Sequence, residues 1–173
     1  MTTFNSKTTF SLKYTLTLGV TAMEGRGFSN PVDMAISSDD RIYVLSRTNP
    51  LQTEGIRIGI LNIDSEYFGD FGSYGDGDGQ FVWPTAIAFD SSDNLYLADE
   101  SNHRITVFDK HGNYLRKLDA AGSADIELKG PSGLAFDSDD NLYIVDHLNH
   151  RIQKFTNDGR CLLKWGQQGT GDG

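Results

Sequence analysis

The chain has 173 residues, of which 38% are hydrophobic, 11% aromatic and 23% charged, and its net charge is −9; this is one globular domain's worth of sequence. The acidic balance makes a nucleic-acid partner unlikely, because such a scaffold needs concentrated Lys and Arg to displace counterions. Cys161 is the single cysteine, so an intrachain disulfide and a Cys-rich metal site are excluded; no apolar run is long enough to span a membrane, and Met1 to Ser6 lack the basic and apolar regions of a leader, which favours a cytoplasmic location.

In chain order, residues 10–18 predict one lone strand. Residues 28–71, 81–118 and 128–165 each predict four short strands. The second group reads most plainly. Thr85 to Phe89 is a small apolar strand after Pro84, and Asp90 to Asp93 is turn chemistry, since Asp and Ser side chains bond nearby backbone. Asn94 to Ala98 is a second strand, Arg104 to Phe108 a third and Tyr114 to Leu118 a fourth, with Gly112 free to take positive φ in the last turn. Residues 166–173 are Gly-rich and read as a linker.

The groups are copies of one unit. Residues 83–118 and 130–165 align without a gap and agree at 18 of 36 positions, a period of 47 residues. Residues 28–71 are a third copy with an insertion. Self-similarity at such a period marks a repeat architecture. The first two strands of a unit are apolar on both faces (Ala86, Ile87, Ala88, Phe89; Leu95, Tyr96, Leu97, Ala98), so both faces must be covered. A four-stranded unit with two covered faces needs a like unit on each side, and radial stacking of such units gives a β-propeller. The fold class is therefore all-β: a partial propeller of three four-stranded blades (28–71, 81–118 and 128–165) plus one N-terminal strand, of the kind that closes a ring. Residues 166–173 align with 72–79 and stop inside a linker. The chain reads either as a piece of a longer propeller or as half of a ring made by two copies. Self-association through the open end blades is expected, because they bare apolar faces.

Asn102-His103-Arg104-Ile105 and Asn149-His150-Arg151-Ile152 follow Asp99 and Asp146, with Pro84, Phe89-Asp90 and Leu95-Tyr96 upstream. This resembles the NHL-repeat family, whose units end one strand in Tyr-x-x-Asp and open the next with Asn-x-Arg-Ile. The resemblance is close over 83–165 and loose over 28–71. It implies a propeller, commonly six-bladed, and functions as scattered as protein or RNA binding, extracellular sensing and metal-assisted lyase chemistry. Fold-level likeness does not choose among them.

Asp99–Arg104 and Asp146–Arg151 recur in register and are expected to be structural ion pairs joining adjacent strands. His103 and His150 recur in the same way, at a turn away from the axis; no metal ligand transfers by motif, and neither metal nor cofactor is expected. Asp76, Asp78, Asp137, Asp139 and Asp140 alternate like calcium-loop oxygens, but a turn and a linker account for them. Blade 1 departs most. Ser46 stands opposite Asp99, leaving Arg57 without its repeat partner. Six extra residues lengthen the loop 47–55, which carries Arg47, Asn49, Gln52 and Glu54. That loop is expected on one face with Asn30, Trp83, Glu100 and His147. Loops on a rigid scaffold are where binding residues concentrate. The reading is a binding scaffold for a protein, peptide or small-molecule ligand, touching Arg47, Asn49, Gln52, Glu54, Trp83, Glu100 and His147. The alternative is a metal-assisted lyase or hydrolase whose site is completed by further blades.

Overall fold

Turn chemistry sets the meander of each blade. The Asp90 carboxylate accepts the amides of Ser92 and Asn94 at 3.0 and 2.8 Å, and Asp137 does the same for Asp139 and Asn141. The residue that turns the chain is left-handed in every blade: Asp40, Asp93 and Asp140 have φ of 60°, 59° and 63°, a conformation that Asp tolerates through its short polar side chain. A computed structural model describes residues 13–19, 27–48, 51–118 and 125–169.

Blade 1 is the antiparallel sheet β1 (Pro31–Ile36), β2 (Ile42–Ser46), β3 (Arg57–Leu61) and β4 (Tyr67–Phe71), in that order. The linker that follows contains two short strands, β5 (Ser73–Tyr74) and β6 (Gln80–Phe81), paired in parallel. Blade 2 is β7 (Pro84–Phe89), β8 (Leu95–Asp99), β9 (Arg104–Phe108) and β10 (Tyr114–Leu118), and blade 3 is β11 (Pro131–Phe136), β12 (Leu142–Asp146), β13 (Arg151–Phe155) and β14 (Cys161–Trp165). The first strands of neighbouring blades, β1, β7 and β11, lie side by side, as the inner strands of a propeller do. The only helical segments among the described residues are two short turns, Thr53–Gly55 and His147–Asn149. No helix is long and apolar enough to cross a membrane.

The core is two slabs between blades. Tyr43, Leu45, Ile58 and Ile60 of blade 1 meet Ile87, Leu95, Leu97 and Phe108 of blade 2. Tyr96, Ala98, Ile105 and Val107 of blade 2 meet Leu142, Ile144 and Phe155 of blade 3. Blade 2 is thus covered on both faces, and β8 and β9 are buried throughout. Among the described residues, the end blades are each covered on one face only. The linkers wedge in aromatics: Phe81 is fully buried. It lies so close to Gly72 that a Cβ there would stand 2.3 Å from its ring, at a backbone φ of +86° that L side chains rarely adopt.

Each joint between blades repeats one polar pattern. The Ser38 amide and hydroxyl donate to the Asp93 carboxylate at 2.9 and 2.5 Å, and those of Ser91 donate to Asp140 at 2.9 and 2.7 Å. The Tyr43 phenol donates to the Lys110 carbonyl at 2.6 Å, and that of Tyr96 to the Asn157 carbonyl at 3.2 Å. Burial pushes the Tyr43 phenol up and that of Tyr96 up to about 12, so both stay protonated donors at neutral pH.

Two expectations are corrected. The lone N-terminal strand expected within 10–18 does not form over residues 13–18, where no strand is assigned; residues 10–12 lie outside the described residues. A fourth strand needs the free edge of a third, and β3, β9 and β13 are each already paired on both sides. The Asp99–Arg104 ion pair is also absent, although the two residues face each other in register. Asp99 is fully buried and already accepts four bonds: from the amides of Val82, Trp83 and Asn102 and from the Asn102 side-chain amide, at 2.8 to 3.2 Å. A carboxylate has about four lone-pair sites, so none is left. Arg104 turns instead to the carbonyls of Asp76, Gly77 and Gln80 at 2.7, 2.8 and 2.9 Å. In blade 3 the pair does form, with Arg151 Nε 2.7 Å from Asp146. There only one linker amide, that of Lys129, reaches the carboxylate. The next one, Gly130, donates to His103 Nδ1 at 3.1 Å, which leaves room for the guanidinium.

Candidate binding face

The first strand of each blade enters from its linker, and a backbone bond fixes where the second strand leaves. Arg47 N–H donates to the Asn30 carbonyl at 3.2 Å, Glu100 N–H to Trp83 at 3.0 Å and His147 N–H to Gly130 at 3.3 Å. The residue pairs Asn30/Arg47, Trp83/Glu100 and Gly130/His147 therefore occupy one structural position in the three blades. The backbone there is constant and the side chains are different each time.

Those side chains run from blade to blade. The Arg47 guanidinium lies 4.3 Å from the centroid of the Trp83 ring, within cation–π range, and its Nη1 reaches the Pro84 carbonyl at 3.4 Å. Trp83 is held from behind, because its amide is one of the donors to Asp99. The Glu100 side chain lies 3.5 Å from where a Cβ on Gly130 would stand, beside Leu148 at 2.8 Å. His147 is exposed at the start of the short helical turn. Arg47, Trp83, Glu100 and His147 thus form an arc across all three blades.

The longer loop of blade 1 flanks the arc. Thr48 and Gly55 are buried at its base, and the position of a Gly55 Cβ would be 2.5 Å from Thr48 Cγ2. The Thr48 hydroxyl donates to the Gln52 carbonyl. Between those roots Leu51, Gln52 and Glu54 are exposed, and the turn Thr53–Gly55 lies beside β5. Asn49 lies outside the described residues. Arg57, which lost its repeat partner, sits 3.4 Å from Asp70 and donates to the Gly27 carbonyl at 2.9 Å.

His103 was read as a repeat position away from the axis, and its geometry adds a role that the sequence reading missed. With its backbone at φ 53°, its imidazole bonds the next linker and borders a groove lined by Glu127, Leu128, Lys129 and Asn149. The recurring Asn-His before Arg104 and Arg151 was the available signal. The Asp137 alternation serves a turn: Asp137 binds its own turn and Lys154, whose ammonium 2.9 Å away holds the carboxyl well below the usual range. Among the described residues no three His, Cys, Asp or Glu side chains stand together so as to hold a metal ion.

The NHL repeat pattern matches residues 81–108 and 128–155, which are the linker anchor through the third strand of blades 2 and 3. The chain is 40% identical over 48 residues to Protein brain tumor of Drosophila melanogaster, covering 28% of this chain and 5% of that protein. It is 29% identical over 90 residues to NHL repeat-containing protein 3 of Homo sapiens, covering 52% of this chain and 25% of that one. The chain thus spans only a small part of these relatives. Among solved structures it is similar in fold to virginiamycin B lyase from Staphylococcus aureus, with TM-score 0.56, 12% identity, and 82% and 42% of the two chains covered. A chain of a nidogen/laminin complex gives TM-score 0.59 at 15% identity, with 83% and 50% covered. At these identities the likeness is one of fold.

Proposed function

We propose that this chain, which carries two NHL repeats within the fold of a partial β-propeller, is a binding scaffold whose ligand, a protein or peptide segment, lies along the arc Arg47, Trp83, Glu100 and His147. One observation carries the reading. At a position where all three blades keep the same backbone hydrogen bond, the side chains are a cation, a carboxylate and an imidazole. A constant frame with variable side chains is how rigid scaffolds present binding residues. The Trp83 ring with Arg47 stacked on it supplies a flat apolar anchor with a charge at its edge, the combination over-represented at binding hot spots. Leu51 and Leu148, both exposed, add apolar contacts on either side. An extended segment bearing an aromatic or aliphatic side chain and charges of both signs suits this arc better than a small molecule, because its side chains come from three successive blades.

The test uses a displayed library of random peptides panned on the 173-residue chain, with the enriched peptides measured by fluorescence anisotropy. Binding should weaken by about tenfold or more in Trp83→Ala and Arg47→Ala, as for a hot-spot residue. It should be unchanged in Asp158→Ala, an exposed turn residue of blade 3. Peptides that bind the Trp83 and Arg47 variants as tightly as the parent would overturn the assignment of this face.

A further inference from the structure

The joints between blades are directional. In the pattern that both formed joints share, the earlier blade supplies the donors, Ser38 and Tyr43 or Ser91 and Tyr96; one bond of the first joint, Ile87 N–H to Asp33 at 2.8 Å, runs the other way and is outside the pattern. The later blade supplies the acceptors: a left-handed Asp at the first turn, and a carbonyl at the turn between its third and fourth strands. The tyrosine ring also meets an aromatic of the later blade edge-on, Tyr43 with Phe89 at 4.8 Å and Tyr96 with Phe136 at 4.9 Å.

Two half-joints are left. Blade 3 presents the donor half: Ser138 is exposed in the position of Ser38 and Ser91, and Tyr143 stands in that of Tyr43 and Tyr96. With no later blade among the described residues, Tyr143 bonds its own Asp137 at 3.2 Å and meets the Trp165 ring edge-on at 5.9 Å. Around it Val145, Leu163 and Trp165 are 38, 59 and 45% exposed. Blade 1 presents the acceptor half. Asp40 has φ 60° against 59° and 63° in Asp93 and Asp140. Ile36 stands where Phe89 and Phe136 stand, and Met34 where Ile87 and Leu134 stand; they are 58 and 63% exposed. Ile63 occupies the turn position of Lys110 and Asn157. One molecule thus carries both complementary halves of a contact it already makes twice internally.

The geometry points to a second copy of this chain as the occupant of both faces, blade 3 of each copy docking on blade 1 of the other. Repetition of one head-to-tail contact either closes a ring or runs on as a filament. Two copies of three blades make six, inside the four to eight that propellers use. Three copies would make nine, outside that range. The contact buries apolar surface on both sides and satisfies Ser138 and Asp40 as at the internal joints, so it is the existing interface continued rather than a new one.

Sedimentation velocity on the 173-residue chain, from one to a hundred micromolar, tests this. A single dimer is expected. Ser138→Asp places a carboxylate against Asp40 of the other copy and should weaken dimerisation about tenfold or more, as unlike and like charges at a joint decide pairing. Adding Asp40→Lys to Ser138→Asp restores opposite charges and should restore the dimer. Both residues are on the surface, and circular dichroism checks that each variant is folded. A monomer at a hundred micromolar overturns the proposal and assigns the two faces to further blades of a longer polypeptide. So does a polydisperse series, which means the contact does not close. A dimer indifferent to Ser138→Asp overturns it as well, because the copies then meet elsewhere. None of these outcomes depends on whether the arc binds peptides.

Discussion

Replacing Asp99 by Ala should be among the most damaging single changes in the chain. The side chain is fully buried and accepts three main-chain amides, from Val82, Trp83 and Asn102. Ala leaves all three without an acceptor. A buried donor left unpaired costs about 1–3 kcal/mol, and some of these recover water through the exposed linker, so the sum is roughly 3–5 kcal/mol. For a domain of this size about 2–4 °C of Tm goes with each kcal/mol, so thermal melting followed by circular dichroism should show Tm falling by roughly 6–20 °C. Asp99→Asn keeps one accepting oxygen, that facing Trp83 and Asn102, and should lose about half as much. Because the same carboxylate holds the Trp83 backbone, Trp emission should also shift to the red before global melting. A Tm loss under about 2 °C in Asp99→Ala, well below one unpaired donor's worth, would show that the linker is not held by this residue and that the account of the blade entry is wrong.

Arg151→Ala removes one partner from a mostly buried pair, the two side chains being 15% and 0% exposed. It should cost roughly 3–5 kcal/mol, and an unchanged Tm would show the pair to be decorative. Gly72→Ala meets both a left-handed backbone and the Phe81 ring, so it should lower Tm clearly, whereas Gly169→Ala, with nothing near its Cβ, should not. The Ser38 hydroxyl and then its amide hold the Asp93 carboxyl below its ordinary value. The folded pKa thus lies under the unfolded one, and its contribution is full above about pH 4 and lost as pH falls through the folded value. Tm measured against pH should fall less steeply below pH ~4 in Asp93→Asn than in the parent, and equal slopes would remove Asp93 from the acid limb. Deleting 49–54 joins Thr48 to Gly55, which already touch, so Tm should hold while binding of arc-directed peptides weakens; binding at full strength would take the loop out of the site.

The propeller was legible because its signals are local and repeated. Two gapless copies fixed the unit, and turn residues such as Asp90, Gly112 and Asp137 fixed where each strand ends. Asp146–Arg151 was legible for the same reason. Asp99–Arg104 was not, although its residues are identical, because a carboxylate's partner is set by competition. Two linker amides reach Asp99, one reaches Asp146, and the difference comes from His103 capturing the amide of Gly130, a contact 27 residues apart. Sequence shows the acceptor but not how many donors arrive. The lone N-terminal strand expected within 10–18 is not assigned over residues 13–18: its residues suit a fourth strand, but pairing needs an edge, and the third strand of each described blade is already paired on both sides. The arc was half legible. Divergence at Arg47, Glu100 and His147 shows in the alignment. The stacking of Arg47 on Trp83 does not, because it joins two blades.

Blade 1 shows how a repeat gives up a structural device and gains a surface. Ser46 in place of the Asp removes the acceptor that clasps the linker in the other two blades, and its hydroxyl is buried without a hydrogen-bond partner. What remains is the hold of the arginine on the linker, which all three copies have: Arg57 donates to the Gly27 carbonyl while its Nε lies 3.4 Å from Asp70. Asp70 is part of β4, so the buried cation at the second-to-third strand corner is paired to the outer strand of its own blade. With no carboxylate to organise it, that corner no longer needs the short Asn-x-Arg turn of the other copies, and six extra residues fit there with only Thr48, Gly55 and Ile56 buried at the roots. The residue next to the lost Asp is Arg47, which is free to reach the following blade and lie over Trp83. Trp83, in turn, stays rigid because Asp99, in the next copy, has kept the clasp. The cation of the stack thus comes from the copy that lost the device and the ring from the copy that retained it, which is why the arc is best sought at the junction of blades 1 and 2 rather than within either.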